Sequence, residues 1–207
     1  MASMKLIGML DSPYVRRVAV SLKLMGVPFE HQSLSVFRTF EQFRAINPVV
    51  KAPTLICDDG AVLMDSTLIL DYLEERVVPE KRLMPAGGAA RREALRLTGL
   101  ALAACEKCVQ IVYEHNQRPE EKRHEPWLER VTGQANAAFA ELERAAEKAS
   151  PWLQGERLDA GDVMVACAWR FGQFYNAKVV PDVKYPALAQ YSERAEALPE
   201  FLSTPLD

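Results

Sequence analysis

The sequence lacks long apolar runs, an excess of basic residues and an abundance of cysteine. No apolar run approaches the roughly 18 residues that a membrane-spanning helix needs, and no sustained apolar stretch of the secretory type follows Met1. The net charge of -3 argues against a nucleic-acid partner, which a basic patch would favour. Four cysteines in 207 residues do not indicate a disulfide framework. We therefore predict a cytoplasmic protein with no membrane and no nucleic-acid partner.

What the sequence does contain is a first part in which strand and helix patterns alternate. Short apolar runs alternate with segments of helical apolar spacing, and Asp59-Gly60 is typical of a tight hairpin turn. The predicted order is strand, helix, strand, helix, strand, strand and helix, at residues 5–10, 14–25, 28–34, 37–46, 54–57, 61–64 and 66–76. This order predicts a thioredoxin-like domain over residues 1–77.

The composition changes after a segment that is typical of a linker. Residues 78–88 contain Pro79, Pro85 and the pair Gly87-Gly88. Beyond them strand patterns fade and alanine-rich helical patterns dominate, with predicted helices at 89–116, 126–149, 159–177 and 185–197. The predicted fold class is α/β plus all-α: a thioredoxin-like N-terminal domain at 1–77, a linker at 78–88 and an all-helical C-terminal domain at 89–207.

Three features of the first domain have both a structural and a functional interpretation. Ser12 before a helix is ordinarily an N-cap, although the free N–H groups and the positive helix end there also suit an anion. Pro53 at a strand start is tolerated in many folds. Asp65-Ser66 is a capping pattern, and it also suits a ligand with an α-amino acid end, because the helix start favours a carboxylate and Asp65 favours an ammonium group. No nucleophilic triad surrounds Ser12, so hydrogen-bond donation to an anion is favoured over attack on a substrate.

The segments that carry these features resemble the glutathione transferase family. The run Ser-Pro-Tyr-Val-Arg-Arg-Val at 12–18 is similar to the serine-type pattern of the plant tau class and related bacterial members. Asn-Pro at 47–48 and Lys-Ala-Pro-Thr-Leu at 51–55 are similar to the family's Asn-Pro-x-x-Lys-Val-Pro-x-Leu segment, and Asp-Ser at 65–66 to its acidic-Ser pair. The resemblance extends over essentially the whole chain, and it implies a glutathione transferase fold with glutathione as co-substrate and no metal.

The resemblance also implies roles for individual residues. Ser12 stabilises the glutathione thiolate, and the backbone of Ala52, turned by a cis Pro53, pairs with the cysteinyl part. The other implied glutathione contacts are Asp65 and Ser66 at the γ-glutamyl end, Lys51 near the glycyl carboxylate, and Arg38 as a looser second basic contact.

The resemblance implies two partners besides glutathione. One is a second copy of the chain in a two-fold homodimer, with the helix from Ser66 and the long helix from Ala89 as contact elements. The other is a small hydrophobic electrophile in an apolar pocket. Most of the aromatic residues in the predicted helices are expected in the core, and one or two are expected to line that pocket; the candidates are Tyr113, Trp169, Phe171, Phe174 and Tyr175.

The clustering of basic residues in the first quarter has two interpretations. The cluster would suit a small anionic ligand, or its members are solvated charges that balance acidic residues elsewhere. The residues concerned are Arg16, Arg17, Lys23, Arg38, Arg44 and Lys51.

Two motifs of the second domain are assigned structural roles. Cys105 and Cys108 lie inside a predicted helix and not at its start, where a redox pair would gain a lower thiol pKa, so we interpret them as buried helix cysteines. Asp159 and Asp162 match the family's capping box, with Asp in place of Ser or Thr at the N-cap.

Three alternative functions stay open at this point. A thiol–disulfide reductase of the same fold normally has Cys where this chain has Ser12, and the first cysteine is Cys57. Glutathione-dependent peroxidase or isomerase chemistry, and a non-enzymatic binding protein on the same fold, remain alternatives because fold does not fix function.

Overall fold

The computed structural model describes residues 3–206, which divide into two compact units. The first unit takes in the chain up to Met84 and again from Leu198, and the second unit runs from Pro85 to Ala197. The predicted domain boundaries stay a prediction. The structure adds that the end of the chain groups with the first unit, which no local sequence pattern indicated.

The first unit is built on a four-stranded sheet with the order β2-β1-β3-β4. Strand β1 is parallel to β2 and antiparallel to β3, and β3 is antiparallel to β4. The parallel pair needs a crossover connection, which helix α1 supplies. The predicted thioredoxin-like order is confirmed, and the elements are β1 (Met4–Ile7), α1 (Pro13–Met25), β2 (Phe29–Gln32), α2 (Phe40–Ile46), β3 (Thr54–Ile56), β4 (Val62–Met64) and α3 (Ser66–Glu75).

Strand β1 ends at Ile7, three residues before the predicted end at residue 10. Gly8 stops the strand because its φ of +134° is a conformation that residues with a side chain rarely adopt. The Gly8 amide still donates to the Gln32 carbonyl at 3.1 Å, and its own carbonyl accepts from His31 Nε2 at 2.8 Å. The chain then leaves the sheet and leads directly into α1.

Helix α1 is buried on nearly every side. Ser12 is its N-cap, Pro13 occupies the first helical position, and Gly26 closes it in the left-handed conformation with φ +71°. Ten of its thirteen residues are buried, among them Arg16 and Arg17. A helix that is buried all round belongs to the interior of its unit, so α1 holds its N-terminal turn in a fixed place.

Helix α2 begins at Phe40 and not at residue 37 as predicted. Before it, the Ser35 hydroxyl accepts from the amides of Phe37 at 3.2 Å and Arg38 at 3.1 Å, which makes a local turn. Phe37 and Phe40 are exposed and only Phe43 enters the core. The spacing of three therefore did not mark one apolar helix face.

The second unit is a bundle of four helices, all of them predicted within a few residues of their ends. Helix α4 packs against α5 and α6, and α7 packs against both α5 and α6. Near-perpendicular ring contacts in the core join Trp169 to Phe139 at 5.6 Å and to Tyr185 at 5.8 Å between ring centres. The helices are α4 (Gly88–Asn116), α5 (Glu125–Ala146), α6 (Ala160–Asn176) and α7 (Pro186–Glu196).

The cysteines behave as core residues. Cys105 and Cys108 are completely buried within α4, which confirms the structural interpretation of this pair. Burial raises the pKa of Cys108 to about 12, so this thiol stays protonated at neutral pH. Cys57 and Cys167 are also buried, and none of the four forms a disulfide.

A short helix that was not predicted, α8 (Pro199–Leu202), follows α7. It packs against α1, and Phe201 within it is completely buried. Among the described residues, no helix combines the length and the apolar character that crossing a membrane requires.

Candidate functional site

Ser12 lies at the start of α1 with room left in its hydrogen bonding. Its side-chain oxygen accepts from the Val15 amide at 3.4 Å, which is long for such a bond. Its own amide donates to the Met9 carbonyl at 3.2 Å. Because the cap bond uses the hydroxyl oxygen only as an acceptor, it does not engage the hydroxyl proton. Half-buried Ser12 can thus cap the helix and donate to another group at once.

The first turn of α1 and the segment that contains Ala52 both lie close to Gly8. A Cβ atom added at Gly8 would lie 2.6 Å from Val15 Cγ2 and 3.1 Å from the Ala52 Cβ, so no side chain fits there. The end of β1, the first turn of α1 and Ala52 therefore meet around Gly8. The structure brings two predicted site elements together, the turn that begins at Ser12 and the residue before Pro53.

The peptide bond between Ala52 and Pro53 is cis, as the resemblance implies. The Thr54 hydroxyl holds the loop before this bond through two hydrogen bonds. It donates to the Lys51 carbonyl at 2.7 Å and accepts from Asn47 Nδ2 at 2.9 Å. Pro53 is buried and Ala52 half-buried, whereas Lys51 is exposed. The motif thus presents the Lys51 side chain to solvent from a rigid loop.

Asp65 and Ser66 form the start of α3. Asp65 has a φ of +71° and its Oδ1 accepts from the Thr67 amide at 2.9 Å, so it caps the helix from an unusual backbone conformation. The hydroxyl of buried Ser66 accepts from an Arg17 guanidinium nitrogen at 3.3 Å, and the Thr67 hydroxyl from the same nitrogen at 3.4 Å. Arg17 therefore links α1 to the N-terminus of α3 and places positive charge beside it.

Arg38 lies in the turn before α2, exposed to solvent. One of its terminal guanidinium nitrogens is 3.4 Å from Met9 Sδ, so its side chain reaches the segment that joins β1 to α1. Direct contacts thus connect Arg38 and Ser66 to the segment from Gly8 to Arg17, and Ala52 lies close to Gly8 in that segment. Lys51 joins them only through the backbone of its loop.

Two residues of this region were missed as site elements in the sequence. Gly8 follows an apolar run and precedes the Asp-Ser-Pro turn, a position where glycine often marks a close approach of two backbones. Arg17 was grouped with the other early basic residues, although its place five residues after Ser12 puts it inside α1. The interpretation as solvated charges does not fit Arg16 and Arg17, which are buried and hydrogen-bonded within the protein.

The expectation that most of the candidate aromatics are core residues was wrong. Trp169 and Phe171 are buried, whereas Tyr113, Phe174 and Tyr175 are exposed by 44%, 53% and 38%. Tyr113 lines a cleft of about 370 Å³ within the second unit. The lining residues are Gln110, Tyr113, Glu114, Gln117, Arg118 and Trp127.

The start of α6 holds the second polar centre, and there the predicted capping box is confirmed. The Asp159 carboxylate accepts from the amides of Gly161 at 2.7 Å and Asp162 at 3.2 Å. The Asp162 carboxylate in turn accepts a hydrogen bond from the Asp159 amide at 2.9 Å. It also accepts from the Leu153 amide at 2.9 Å and from the Tyr191 hydroxyl at 2.7 Å. Burial nevertheless raises the pKa of Asp162 to about 6.

Two domain models of a known protein family match this chain. The family model for the glutathione S-transferase N-terminal domain matches residues 6–81. The family model for the glutathione S-transferase C-terminal domain matches residues 125–194. A solved structure of a glutathione transferase family member from Pseudomonas fluorescens Pf-5, with bound glutathione, is 33% identical, with 99% of this chain and 100% of that chain covered and a TM-score of 0.86. The chain belongs to the glutathione S-transferase family. Its two units are thus the two parts of the glutathione S-transferase fold.

Two curated relatives differ in name and in how much of this chain they match. Glutathione S-transferase U4 of Arabidopsis thaliana is 35% identical over 71 residues, which cover 34% of this chain and 32% of that protein. Maleylacetoacetate isomerase of Pseudomonas aeruginosa is 26% identical over 197 residues, which cover 89% of this chain and 87% of that protein. Relatives of the transferase type and of the isomerase type therefore both resemble it.

Proposed function

We propose that this glutathione S-transferase binds glutathione at the N-terminal turn of α1 and activates its thiol with the Ser12 hydroxyl. The observation that carries the proposal is the meeting of this turn with Ala52 around Gly8, beside the cis bond to Pro53. Ser12 has a hydroxyl proton that its long cap bond does not use. A thiolate placed there accepts that proton in a hydrogen bond and faces the positive end of α1.

The energies involved are sufficient for thiolate activation without a general base. A free thiol has a pKa of about 8.5, so only a few per cent is ionised at neutral pH. Lowering the pKa by about two units requires roughly 2.7 kcal/mol of preference for the thiolate. A hydroxyl hydrogen bond to an anion supplies about 1.5–3 kcal/mol, and the helix end adds about 0.3–1 kcal/mol.

The remaining glutathione contacts are assigned by the same resemblance and supported by where the residues lie. Asp65 and Ser66 bind the γ-glutamyl end at the N-terminus of α3, where Arg17 adds positive charge. The Ala52 backbone pairs with the cysteinyl part beside Pro53. Lys51 and Arg38, both exposed, attract the glycyl carboxylate.

The proposed reaction is attack of the thiolate on a small hydrophobic electrophile. The sulfur–carbon bond forms with the thiolate electron pair, and a leaving group departs with its own pair or, in an addition, the product carbon takes a proton from water. Isomerase chemistry is the second candidate, because the match to maleylacetoacetate isomerase covers 89% of the chain. There glutathione adds and leaves again, and is not consumed.

A direct test combines binding and turnover. Calorimetric titration with glutathione is expected to show binding, and assays with a panel of electrophiles and with cis-alkene diacids then distinguish consumption of glutathione from its recycling. Absence of any affinity at about millimolar glutathione would refute the proposal and leave a non-enzymatic role.

The reductase alternative has its own test at the same residue. In Ser12→Cys the new thiolate lies at a helix N-terminus, where its pKa is lowered. It is expected to attack glutathione disulfide, form a mixed disulfide and release one glutathione thiolate, while the parent protein stays unmodified by mass. Mixed-disulfide formation by the parent protein would instead favour the reductase.

We also propose a homodimer, which the resemblance implies. Leu68 on α3 and Leu95 on α4 are exposed by 64% and 50%, and exposed leucines on these two helices suit a protein contact. Sedimentation at micromolar concentration is expected to give twice the chain mass of 23.2 kDa. A mass near that of one chain would overturn this proposal without touching the others.

A further inference from the structure

The end of the chain is tied to the first turn of α1 by a buried arginine. Arg16 is 1% exposed, and its Nε donates to the Thr204 carbonyl at 2.8 Å. The guanidinium carbon also lies 5.5 Å from the centre of the Phe201 ring. Because a buried guanidinium is costly unless it is hydrogen-bonded, these contacts help to hold Arg16 in its buried position.

Arg16 belongs to the same helical turn as Ser12. Its amide donates to the Ser12 carbonyl at 2.9 Å, which is the first helical hydrogen bond of α1. The Ser12 hydroxyl, in contrast, is held to its own helix only by the 3.4 Å bond from Val15. The position of Ser12 therefore depends on its backbone, and one side chain anchors that backbone to residues about 190 positions away.

The segment that receives Arg16 is itself ordered by internal bonds. The Thr204 amide donates to the Phe201 carbonyl at 3.0 Å, and the Thr204 hydroxyl donates to the Glu200 carbonyl at 2.9 Å. Thr204 is 2% exposed and Phe201 is completely buried. A short, internally bonded turn thus presents the Thr204 carbonyl to Arg16, which makes this an anchor of defined geometry.

We propose that Arg16 is a positioning residue, and that residues 198–206 act through it to set where the Ser12 hydroxyl stands. The inference rests on the proposed function of Ser12. A hydrogen bond that strengthens as charge develops on sulfur is sensitive to small displacements, since a shift of about 1 Å caused far from the chemistry can cost about a hundredfold in rate. Residues 198–206 thereby influence the pKa of the glutathione thiol, although none of them is assigned a contact with glutathione. We call this segment the tail.

The test compares Arg16→Met, Phe201→Ala and the double variant. The pKa of bound glutathione is followed by the ultraviolet absorbance of its thiolate, and affinity by calorimetry. Each single variant is expected to raise the pKa of bound glutathione by about half to one unit. At pH values below this pKa, the thiolate fraction and the conjugation rate then fall about three- to tenfold. Glutathione affinity is expected to stay within about threefold. The double variant is expected to shift the pKa no further than the larger single variant, because both changes weaken the same anchor between Arg16 and residues 198–206.

Controls separate positioning from loss of stability. Arg44→Met removes an exposed arginine that pairs with Glu41, and it is expected to leave the pKa of bound glutathione unchanged. Arg16→Lys keeps the positive charge but loses the Nε–H donor. It is therefore expected to raise the pKa of bound glutathione less than Arg16→Met does. If Phe201→Ala does not fold, Phe201→Leu replaces it.

Two results would overturn the inference. The first is a lowered melting temperature in Arg16→Met and Phe201→Ala with an unchanged pKa of bound glutathione, which would make the tail purely structural. The second comes from Ser12→Ala measured alongside: if that variant raises the pKa of bound glutathione and the Arg16 and Phe201 variants do not, this inference alone fails. If Ser12→Ala has no effect on it, the proposed function fails and this inference falls with it.

Discussion

The starts of α1 and α6 carry similar capping residues and use them in opposite ways. At α6 the side chains of Asp159 and Asp162 accept from several amides and from the Tyr191 hydroxyl, with both carboxylates buried. At α1, Ser12 is half-buried and accepts one long bond. The carboxylates at the start of α6 accept several hydrogen bonds from within the fold. At the start of α1, the cap bond leaves the Ser12 hydroxyl proton available for donation.

This difference shows what a capping pattern means. Both patterns look alike in sequence, because a short polar residue precedes an apolar helix in each. What separates structure from chemistry is the capacity left after the fold is satisfied. The contrast predicts that changes at α6 lower stability, whereas changes at α1 and α3 affect ligand chemistry.

The largest effect is expected at Asp162. Asp162→Ala leaves the amides of Leu153 and Asp159 without their acceptor, and it leaves the Tyr191 hydroxyl only the longer 3.3 Å bond to the backbone carbonyl of residue 162. Each orphaned buried donor costs about 1–3 kcal/mol, and we expect a loss of about 3–5 kcal/mol in the free energy of unfolding. Urea denaturation measures it, with exposed Asp182→Ala as the control within about 0.5 kcal/mol of the parent. A loss under about 1 kcal/mol would break the contrast.

The opposite balance is expected at Ser12. Ser12→Ala removes the proposed donor to the thiolate, worth about 1.5–3 kcal/mol, so the conjugation rate is expected to fall roughly ten- to hundredfold. Because the cap bond is long, at 3.4 Å, the free energy of unfolding is expected to change by under about 1 kcal/mol. Ser12→Thr keeps a hydroxyl and serves as the control. An unchanged pH–rate profile in Ser12→Ala would show that Ser12 is only a cap.

The pH dependence of stability offers a third comparison. Burial raises the pKa of Asp162 from 3.8 to about 6, so the folded chain binds this proton more tightly than the unfolded chain. Its contribution to the free energy of unfolding is fullest below about pH 4 and is lost as the pH rises through about 6, at up to about 1.4 kcal/mol per pH unit.

The difference in stability between the parent and Asp162→Asn measures this contribution. Carboxylates elsewhere, such as Glu93, whose pKa is lowered by its hydrogen bond from Arg96, occur in both proteins and cancel in the difference. A difference that stays constant from about pH 4 to 7 would contradict the assignment.

The smallest effect is expected at Asp65. Asp65→Asn keeps a capping oxygen and tolerates the positive φ, but it removes the negative charge assigned to the ligand ammonium group. An ion pair near the surface contributes up to about 1 kcal/mol, so glutathione affinity is expected to fall by up to about fivefold in calorimetry. Asp71→Asn, exposed on the same helix, controls for general charge; an equal loss there would remove Asp65 from the site.

Local patterns predicted most of the fold. Residues close together in the sequence predicted the alternation of strands and helices in the first part and the long helices after Pro85. They also predicted the Asp-x-x-Asp capping box of α6. The resemblance to the glutathione transferase family selected Ser12, Pro53 and Asp65, and it implied the cis bond before Pro53. In each case the residues that decide the structure are neighbours in the sequence.

What could not be predicted depends on contacts between distant parts of the chain. The burial of Arg16 requires the Thr204 carbonyl, and no local pattern connects the two. The exposed Phe37 and the exposed Tyr113 have the same helical spacing as core residues, and only packing decides which face is covered. Gly8 likewise gains its role from Ala52, more than forty residues later.

The return of the last residues to the first unit has a consequence for biosynthesis. A ribosome releases the chain from its N-terminus at roughly 5–20 residues per second, and N-terminal domains generally fold first. Here the residues from Leu198 onward complete the first unit, yet they emerge only after the whole second unit. At those rates the second unit takes on the order of ten seconds to synthesise, and during that time the nascent first unit lacks Phe201 and Thr204. The contact between Arg16 and the Thr204 carbonyl therefore forms only after the second unit has been translated.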